Sequence, residues 1–326
     1  MVGLTELQAT SWENREKKPS DAVTDNNPLL YMLKKKGNVK VINGGRVIWE
    51  DIRYAQNAYV QRIDPTEEIA IGYNQTLTGF EYSPKIIVVP VVINALEKAQ
   101  NSGDAEFLDL LEQRNQTAED SLMNNMEQDL QGDGTGYGGK AFAGIQSYIV
   151  TSTSSGSYGG LARASYSSIR NTAVDAPSTF TGATDSSNIE SRLRYSKNQV
   201  VRGTDRPELC LAGTTYFNAA CDAMSSKQRF TQDADMLKAN FDNVIIEGMT
   251  MVLATGKVFS GLSRIAADRC YGINLNTLAL KMYKNFNFQP VQERVSVNQL
   301  VDISITVGIG QLTCNGSGLD FVMYDS

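Results

Sequence analysis

The chain has 326 residues, 41% of them hydrophobic, which is enough apolar material for one large or two medium domains. Its net charge of −6 excludes a nucleic-acid binder that rests on bulk positive charge, though an acidic wall can enclose nucleic acid without sticking to it. It contains no histidine, which removes Ser-His-Asp and Cys-His catalysis, imidazole metal sites and imidazole pH switching together.

Met1-Val2-Gly3-Leu4-Thr5 forms no apolar signal core, and no run approaches the ~20 apolar residues that span a bilayer. Synthesis in the cytoplasm and no membrane partner are the expectation. Residues 1–40 read as an arm. Ser11 to Asn27 is polar and has almost nothing to bury alone, so it is expected to lean on a neighbour. Leu29-Leu30-Tyr31-Met32-Leu33 is a short apolar anchor. Lys34-Lys35-Lys36 is either a solvated face or a contact to acidic neighbours or nucleic acid.

Next comes a long hairpin. Arg46 to Ile63 is rich in β-branched and aromatic residues, Asp64-Pro65-Thr66-Glu67 is a turn, and Thr76 to Ile93 is a second such run. Ile48, Ile52, Ala55 and Tyr59 also fit helical spacing, but Gly44-Gly45 before the run and the β-rich run after it favour a strand. At ~3.3 Å per residue each limb reaches roughly 60 Å if unbroken. A compact globule of this length is only about 50 Å across. A hairpin that long lies on something else, most simply another copy of the chain. Both faces mix apolar and charged groups, as a two-sided strap should.

Ala95 to Gln131 is helical, with Asn94 and Asp104 as N-caps, Ser102-Gly103 interrupting, and Gly132 ending it. Phe107, Leu111, Ala118, Leu122, Met126 and Leu130 form one stripe at helical spacing, read as a core spine rather than a cofactor box. From Asp104 the helix is roughly 42 Å long. A Gly-rich stretch follows, with a strand expected over Ala141 to Val150 and short helices over Ser165 to Asn171 and Asn188 to Tyr195, around a polar loop at Asp175 to Ser187. From Arg206 strand and helix alternate. Leu209 to Ala212 is a buried strand, Thr214 to Met224 a helix, and Val244 to Ile246 and Met249 to Leu253 are strands split by Glu247-Gly248. Gly256 to Asn276 reads as an irregular loop, Leu278 to Phe288 and Val301 to Val307 as strands, and Gly310 to Tyr324 as a hairpin around Asn315-Gly316.

Little of this carries chemistry. Gly134 to Lys140 fits a phosphate-loop spacing, but Ala141 stands where the metal-binding hydroxyl belongs, and the stretch follows a helix instead of opening one. Asp233 with Asp235, and Glu67 with Glu68, are surface carboxylates without a placed partner. The four cysteines, Cys210, Cys221, Cys270 and Cys314, have no CxxC spacing and read as reduced thiols in a chain of this size. No catalytic residue, cofactor or metal is expected.

Several segments carry a family resemblance as a set. Gly44-Gly45-Arg46-Val47-Ile48 resembles the start of an extended loop, and Tyr82-Ser83-Pro84-Lys85-Ile86 into Val91-Val92-Ile93-Asn94 its return strand. Leu130-Gln131-Gly132-Asp133-Gly134 resembles the exit of a spine helix. Ala141-Phe142-Ala143-Gly144-Ile145 and Gly160-Leu161 resemble the peripheral segments after it. Phe241-Asp242-Asn243-Val244 into Ile246-Glu247-Gly248-Met249 resembles an axial strand pair. In this order they resemble tailed-bacteriophage major capsid proteins of the Hong Kong 97 type.

The resemblance implies an α+β fold: arm 1–40, extended β-hairpin loop 41–93, peripheral domain with spine helix 94–195, axial domain 196–300, and C-terminal strands 301–326 returning to the peripheral and axial sheet. It implies hexamers and pentamers in an icosahedral shell around double-stranded DNA, found in the virion and assembled in the host cytoplasm. Portal, scaffolding and decoration proteins are the implied partners. Arg46, Trp49, Arg53, Tyr54, Tyr59, Arg62, Glu67 and Tyr73 on the loop, and Leu29, Leu30 and Tyr31 on the arm, are the expected intersubunit contacts. Lys85 and Asn315 are present but nothing pairs them, so noncovalent assembly is expected. An encapsulin-like compartment is the rival reading within the fold, and a nucleotide-binding enzyme using Gly134–Lys140 the rival outside it.

Overall fold

The computed structural model describes residues 28–100, 110–226, 243–254, 265–295 and 301–326. Ser11 to Asn27, Ser102 to Asp104, Phe107, Asp233, Asp235 and Phe241-Asp242 lie outside them, as does the side chain of Leu111. Helix α1 (Pro28–Lys35) leads into strand β1 (Val39–Ile42). Strands β2 (Ile48–Arg53) and β3 (Leu77–Tyr82) pair, and β4 (Lys85–Asn94) follows. Helix α2 (Ala95–Gln100) precedes the spine, α3 (Leu110–Gln131). Beyond two helical turns come β5 (Ser157–Tyr158), β6 (Leu161–Ala162), β7 (Thr172–Asp175), α4 (Ile189–Val200), β8 (Leu209–Ala212) and α5 (Thr214–Ser226). Six strands complete the described chain: β9 (Asn243–Ile246), β10 (Met249–Leu253), β11 (Arg269–Ile273), β12 (Leu278–Val295), β13 (Val301–Cys314) and β14 (Phe321–Tyr324).

The larger sheet has the order β7-β14-β11-β8-β10-β9. Its centre, β8, is buried at every residue. Cys210 and Ala212 face a cluster with α4 and α5, while Leu209 and Leu211 face the cluster that holds α1 and the spine. Burial on both faces explains why this strand reads as a continuous apolar run without alternation. Between β9 and β10 only Glu247 and Gly248 intervene, both left-handed at φ 53° and 75°. Two such residues match the twist of a tight hairpin.

The second sheet has the order β1-β12-β13-β4, with a ten-residue ladder between β13 and β4. The spine lies beside β4 and buries Leu122, Met126 and Leu130, while Ala118 is half-buried. α2 starts with a reciprocal cap: Asn94 Oδ1 accepts the Leu96 N–H at 3.1 Å and Glu97 Oε2 accepts the Asn94 N–H at 3.2 Å. Arg114 of the spine meets Glu97 at 2.9 Å and the Val92 carbonyl at 2.8 Å, tying α2, α3 and β4 together. Burial pushes the Glu97 carboxyl up, but Arg114 and the Asn94 N–H outweigh it and hold it below the usual range.

Four expectations need correction. Leu29 to Leu33 is no detached anchor but helix α1, with Leu29 and Leu30 at 0% and 4% exposure in the chain's own core. Pro28 suits a first helical position, and the buried Glu127 carboxylate of the spine accepts the Leu29 and Leu30 N–H groups at 3.3 and 3.2 Å. Ala141 to Val150 holds a helical turn at Ile145–Tyr148, not a strand. Gly144 presses on the spine's last turn, where a Cβ would fall 2.3 Å from the Asp129 carbonyl oxygen, and the turn follows from that close approach.

The stretch Gly256 to Asn276, expected to be irregular, contains β11, while β7 runs up to the start of the polar loop expected at Asp175 to Ser187. Lastly, Gly310 to Tyr324 does not close on itself. β13 ends at Cys314, and β14 joins the other sheet between β7 and β11. The fully buried Asp320 marks this crossing: its carboxylate accepts the Asn274 N–H at 2.7 Å and its carbonyl the Thr172 N–H at 3.1 Å. Burial pushes that carboxyl well above its ordinary value.

Candidate assembly surface

The hairpin has two unlike zones. At its base, β2 and β3 pair from Ile48↔Tyr82 to Arg53↔Leu77. Alternation places Ile48, Phe80 and Tyr82 on the inner face, where all three are buried. Phe80 stacks on Tyr158 at 4.9 Å, and Tyr82 meets Tyr148 edge-on at 6.1 Å. Gly159 is left-handed at φ 55°, and a Cβ there would strike Phe80 at 2.7 Å.

Polar contacts pin the base as well. Tyr82 donates to the Cys314 carbonyl at 2.6 Å, and burial pushes its hydroxyl pKa far up. Glu50 accepts from Lys281 at 2.7 Å and from the Thr313 hydroxyl at 2.9 Å. β4 is not the hairpin's return limb. The chain turns at Ser83-Pro84 and β4 enters the second sheet, leaving a six-residue ladder of only ~20 Å in place of the expected 60 Å limb.

From 54 to 76 no strand is formed. Above one main-chain bond, from the Tyr54 N–H to the Thr76 carbonyl at 3.1 Å, the two limbs stay together through side chains. Gln61 donates to the Ala70 carbonyl at 2.7 Å and accepts its N–H at 3.2 Å; Asn74 donates to the Gln56 carbonyl at 3.0 Å; Tyr54 donates to the Gln75 carbonyl at 2.8 Å. Asp64 and Glu67 close the turn. Beyond Tyr54 and Ala55, the large apolar groups stand in water: Ile71 and Tyr73 are each 92% exposed, and Val60, Ile63 and Ile69 are exposed too. A ladder needs a buried face to fix its register, and this segment has none within its own subunit.

Of the residues expected to touch a neighbour, Arg46, Trp49, Arg53, Tyr59, Arg62, Glu67 and Tyr73 are exposed. Tyr54 is half-buried, edge-on to Tyr166 at 5.0 Å. Tyr31 is half-buried, and Leu29 and Leu30 are withdrawn from any outer surface by their place in the core.

Sequence reasoning missed a second surface. β4 ends its sheet, so its far edge pairs with no strand among the described residues. Opposed residues of an antiparallel pair share a face. Ile86, Val88, Pro90 and Val92 therefore align with Ile309, Val307, Ile305 and Ile303 into one aliphatic face, on which Ile86, Val88 and Val92 are exposed. Every residue from Ile86 to Ile93 is apolar, so the alternation that separates the two faces is invisible in the sequence.

A cleft of about 370 Å³ runs along this edge, between Ile86–Val89, spine residues Leu122, Asn125 and Asp129, and Tyr137, Lys140, Ala141 and Phe142. Burial pushes the Asp129 carboxyl up to about 6, against the pull of the Phe142 N–H. Tyr137 is left-handed at φ 53°, a costly conformation for a non-glycine residue, and its hydroxyl donates to Asn125 at 3.2 Å. The Gly134–Lys140 stretch makes only a four-residue helical turn with left-handed residues inside it, so no long helix presents its N-terminus to a phosphate. Among the described residues no group of three or more His, Cys, Asp or Glu is placed to hold a metal, and no helix is long and apolar enough to cross a membrane.

No family model and no curated protein matches the chain. Solved structures do. The chain is similar to a structure titled the cyanophage A-1(L) capsid asymmetric unit, with TM-score 0.65 and 14% identity over 96% of both chains. It is similar to the capsid of a native GTA particle, with TM-score 0.59 and 8% identity over 96% of this chain and 95% of that one. It is also similar to the holo-SrpI encapsulin of Synechococcus elongatus, with TM-score 0.59 and 8% identity over 99% and 95%. The chain therefore has the Hong Kong 97-type capsid fold along nearly its whole length, the α+β architecture expected from its sequence.

Proposed function

We propose that this chain is the major capsid protein of a tailed bacteriophage, assembling into hexamers and pentamers of an icosahedral head that encloses double-stranded DNA. One observation carries the reading: a hairpin anchored in the subunit's core at its base ends in a tip whose apolar groups its own subunit leaves in water. Exposed apolar surface of that kind marks a protein interface. Copies that meet head to tail close into rings, and rings tile a shell. The fold shared with two capsid structures supports the assignment. In this reading residues 41–93 grip the next subunit, 94–195 form the rim, 196–300 sit at the local symmetry axis, and 301–326 return to both sheets. Portal, scaffolding and decoration proteins are the further partners, the virion is the location, and the role is structural with no catalysis.

The likeness to an encapsulin sustains the second reading, a protein compartment of the same fold. Purified assemblies decide between them. Negative-stain microscopy should show closed icosahedral shells, and particles from infected cells should hold nuclease-resistant DNA. Shells that hold only protein support the compartment, and a chain that stays monomeric at high concentration sinks both.

A further inference from the structure

We propose that Asn43 is a site of spontaneous deamidation, left open by the fold while the chain's two comparable steps are held. There the Gly44 amide nitrogen attacks the Asn43 side chain and converts it to aspartate and isoaspartate. The comparable steps are Asp133-Gly134 and Asn315-Gly316.

The chemistry balances with water alone. The Gly44 nitrogen gives up its proton as it bonds to Asn43 Cγ, the Cγ–Nδ2 bond breaks, and ammonia leaves with that proton. Water then opens the cyclic imide. Opening at one carbonyl gives aspartate, and opening at the other gives isoaspartate, whose main chain runs on through the side-chain carbon. Nothing is oxidised or reduced.

Such a ring needs a free amide nitrogen, a side chain able to swing onto it, and no bulk on the next residue. Asn43 and Gly44 are exposed and lie between β1 and β2, in neither strand. Among the described residues neither the Gly44 N–H nor the Asn43 side chain joins a hydrogen bond. Gly44 has φ 127°, a conformation natural to glycine, and a Cβ there would meet nothing within 4 Å.

The other two steps lack this freedom. The Asn315 N–H donates to the Thr277 carbonyl at 3.0 Å, and the Gly316 N–H turns to the Cys314 sulfur. Ser317, next in the chain, is buried and donates its hydroxyl to the Ile169 carbonyl at 2.6 Å. Attack at Asn315 would have to break these ties. At Asp133, Oδ1 accepts the Thr135 N–H at 2.9 Å and the Thr135 hydroxyl at 2.7 Å. Both bonds favour the ionised carboxylate, which is a poor target for an attacking nitrogen.

The place of Asn43 gives the reaction a structural consequence. β1 pairs with β12 in the second sheet, whereas β2 opens the hairpin. The Tyr283 hydroxyl donates to the Gly45 carbonyl at 2.6 Å and ties the same link to β12. Deamidation adds a negative charge at this joint, and isoaspartate lengthens its main chain by a methylene group, where the hairpin leaves the sheet.

Peptide mapping tests the proposal. The purified full chain is held in neutral and in mildly alkaline buffer, with and without urea, then digested and its peptides weighed. An isoaspartyl methyltransferase labels isoaspartate. In the folded protein the Asn43 peptide is expected to turn acidic several-fold faster than the Asn315 peptide, faster still in alkaline buffer, and to take the methyl label. In urea the two asparagines should convert at similar rates, because the ties around Asn315 are gone. Asn43→Gln should abolish the label in this peptide, since the longer side chain closes its ring far more slowly, and should leave the thermal midpoint unchanged. Equal rates in the folded protein, a label that survives Asn43→Gln, or a rate difference that persists undiminished in urea would each overturn the proposal.

Discussion

The base and the tip of one hairpin obey different rules. At the base, Phe80 and Tyr82 are buried on Tyr158 and Tyr148, and a regular ladder fixes the register. At the tip, Gln61, Asn74 and Tyr54 hold two limbs together without a ladder, around side chains that remain in water. The difference teaches that backbone pairing here follows burial. Where the subunit supplies a floor the strands form, and where it supplies none the limbs stay open.

Removing the tip tests that division most severely. Deletion of Gln56 to Gln75 should leave a folded, soluble subunit that forms no closed shells, seen as a cooperative melt alongside empty fields in negative stain; wild-type-sized particles would break the comparison. Phe80→Ala probes the other zone. It should cost about 3–5 kcal/mol of subunit stability in urea, because it empties a fully buried aromatic site. A loss under about 1 kcal/mol would mean that the base, too, waits for a neighbour.

Asp129 is a mixed case, a half-buried carboxyl beside the cleft. Its folded pKa, about 6, lies above the unfolded 3.8, so between these values the folded state holds a proton that the unfolded state has lost. Stability therefore falls as pH rises through that window and stays level above it. Asp129→Asn should gain roughly 1–2 kcal/mol near pH 7.5, discounted for solvent screening, and nothing near pH 3.5. Unfolding midpoints equal to wild type at both pH values would show that the carboxyl is not held by burial.

The smallest effect belongs to Gln61→Ala. With its bonds exposed to water, subunit stability should move by less than about 0.5 kcal/mol. The Ala70 amide should nonetheless exchange hydrogen several-fold faster, and an unchanged exchange rate would remove Gln61 as the link between the limbs.

The sequence revealed much of the frame. Leu122, Met126 and Leu130 announced the spine by their spacing, Glu247-Gly248 announced a tight turn, and Leu209 to Ala212 announced a strand buried on both faces. Other features were hidden for physical reasons. Leu29 and Leu30 look like a free anchor until Glu127, 98 residues away from Leu29, supplies the acceptor for their amides. Asn315-Gly316 looks like a hairpin turn, but burial of Asp320 and pairing with β7 and β11 outweigh the local signal. The open edge of β4 left no trace because an unbroken run of aliphatic residues conceals which side chains point where. The tip does not form the long ladder that its composition suggests, since β-branched residues favour strands only when there is a surface to pack against.

The side-chain ties across the tip have a consequence for proteolysis. Exposed loop tips are where proteases cut first. A single cut between Asp64 and Glu67 severs no ladder, because β2 and β3 remain paired and buried below it. Nicked subunits should therefore run as two fragments on a denaturing gel yet migrate as one intact body in solution. In the proposed shell a neighbour that covered the tip would shield the same bond, and the rate of nicking would then serve as a clock for how far assembly has advanced.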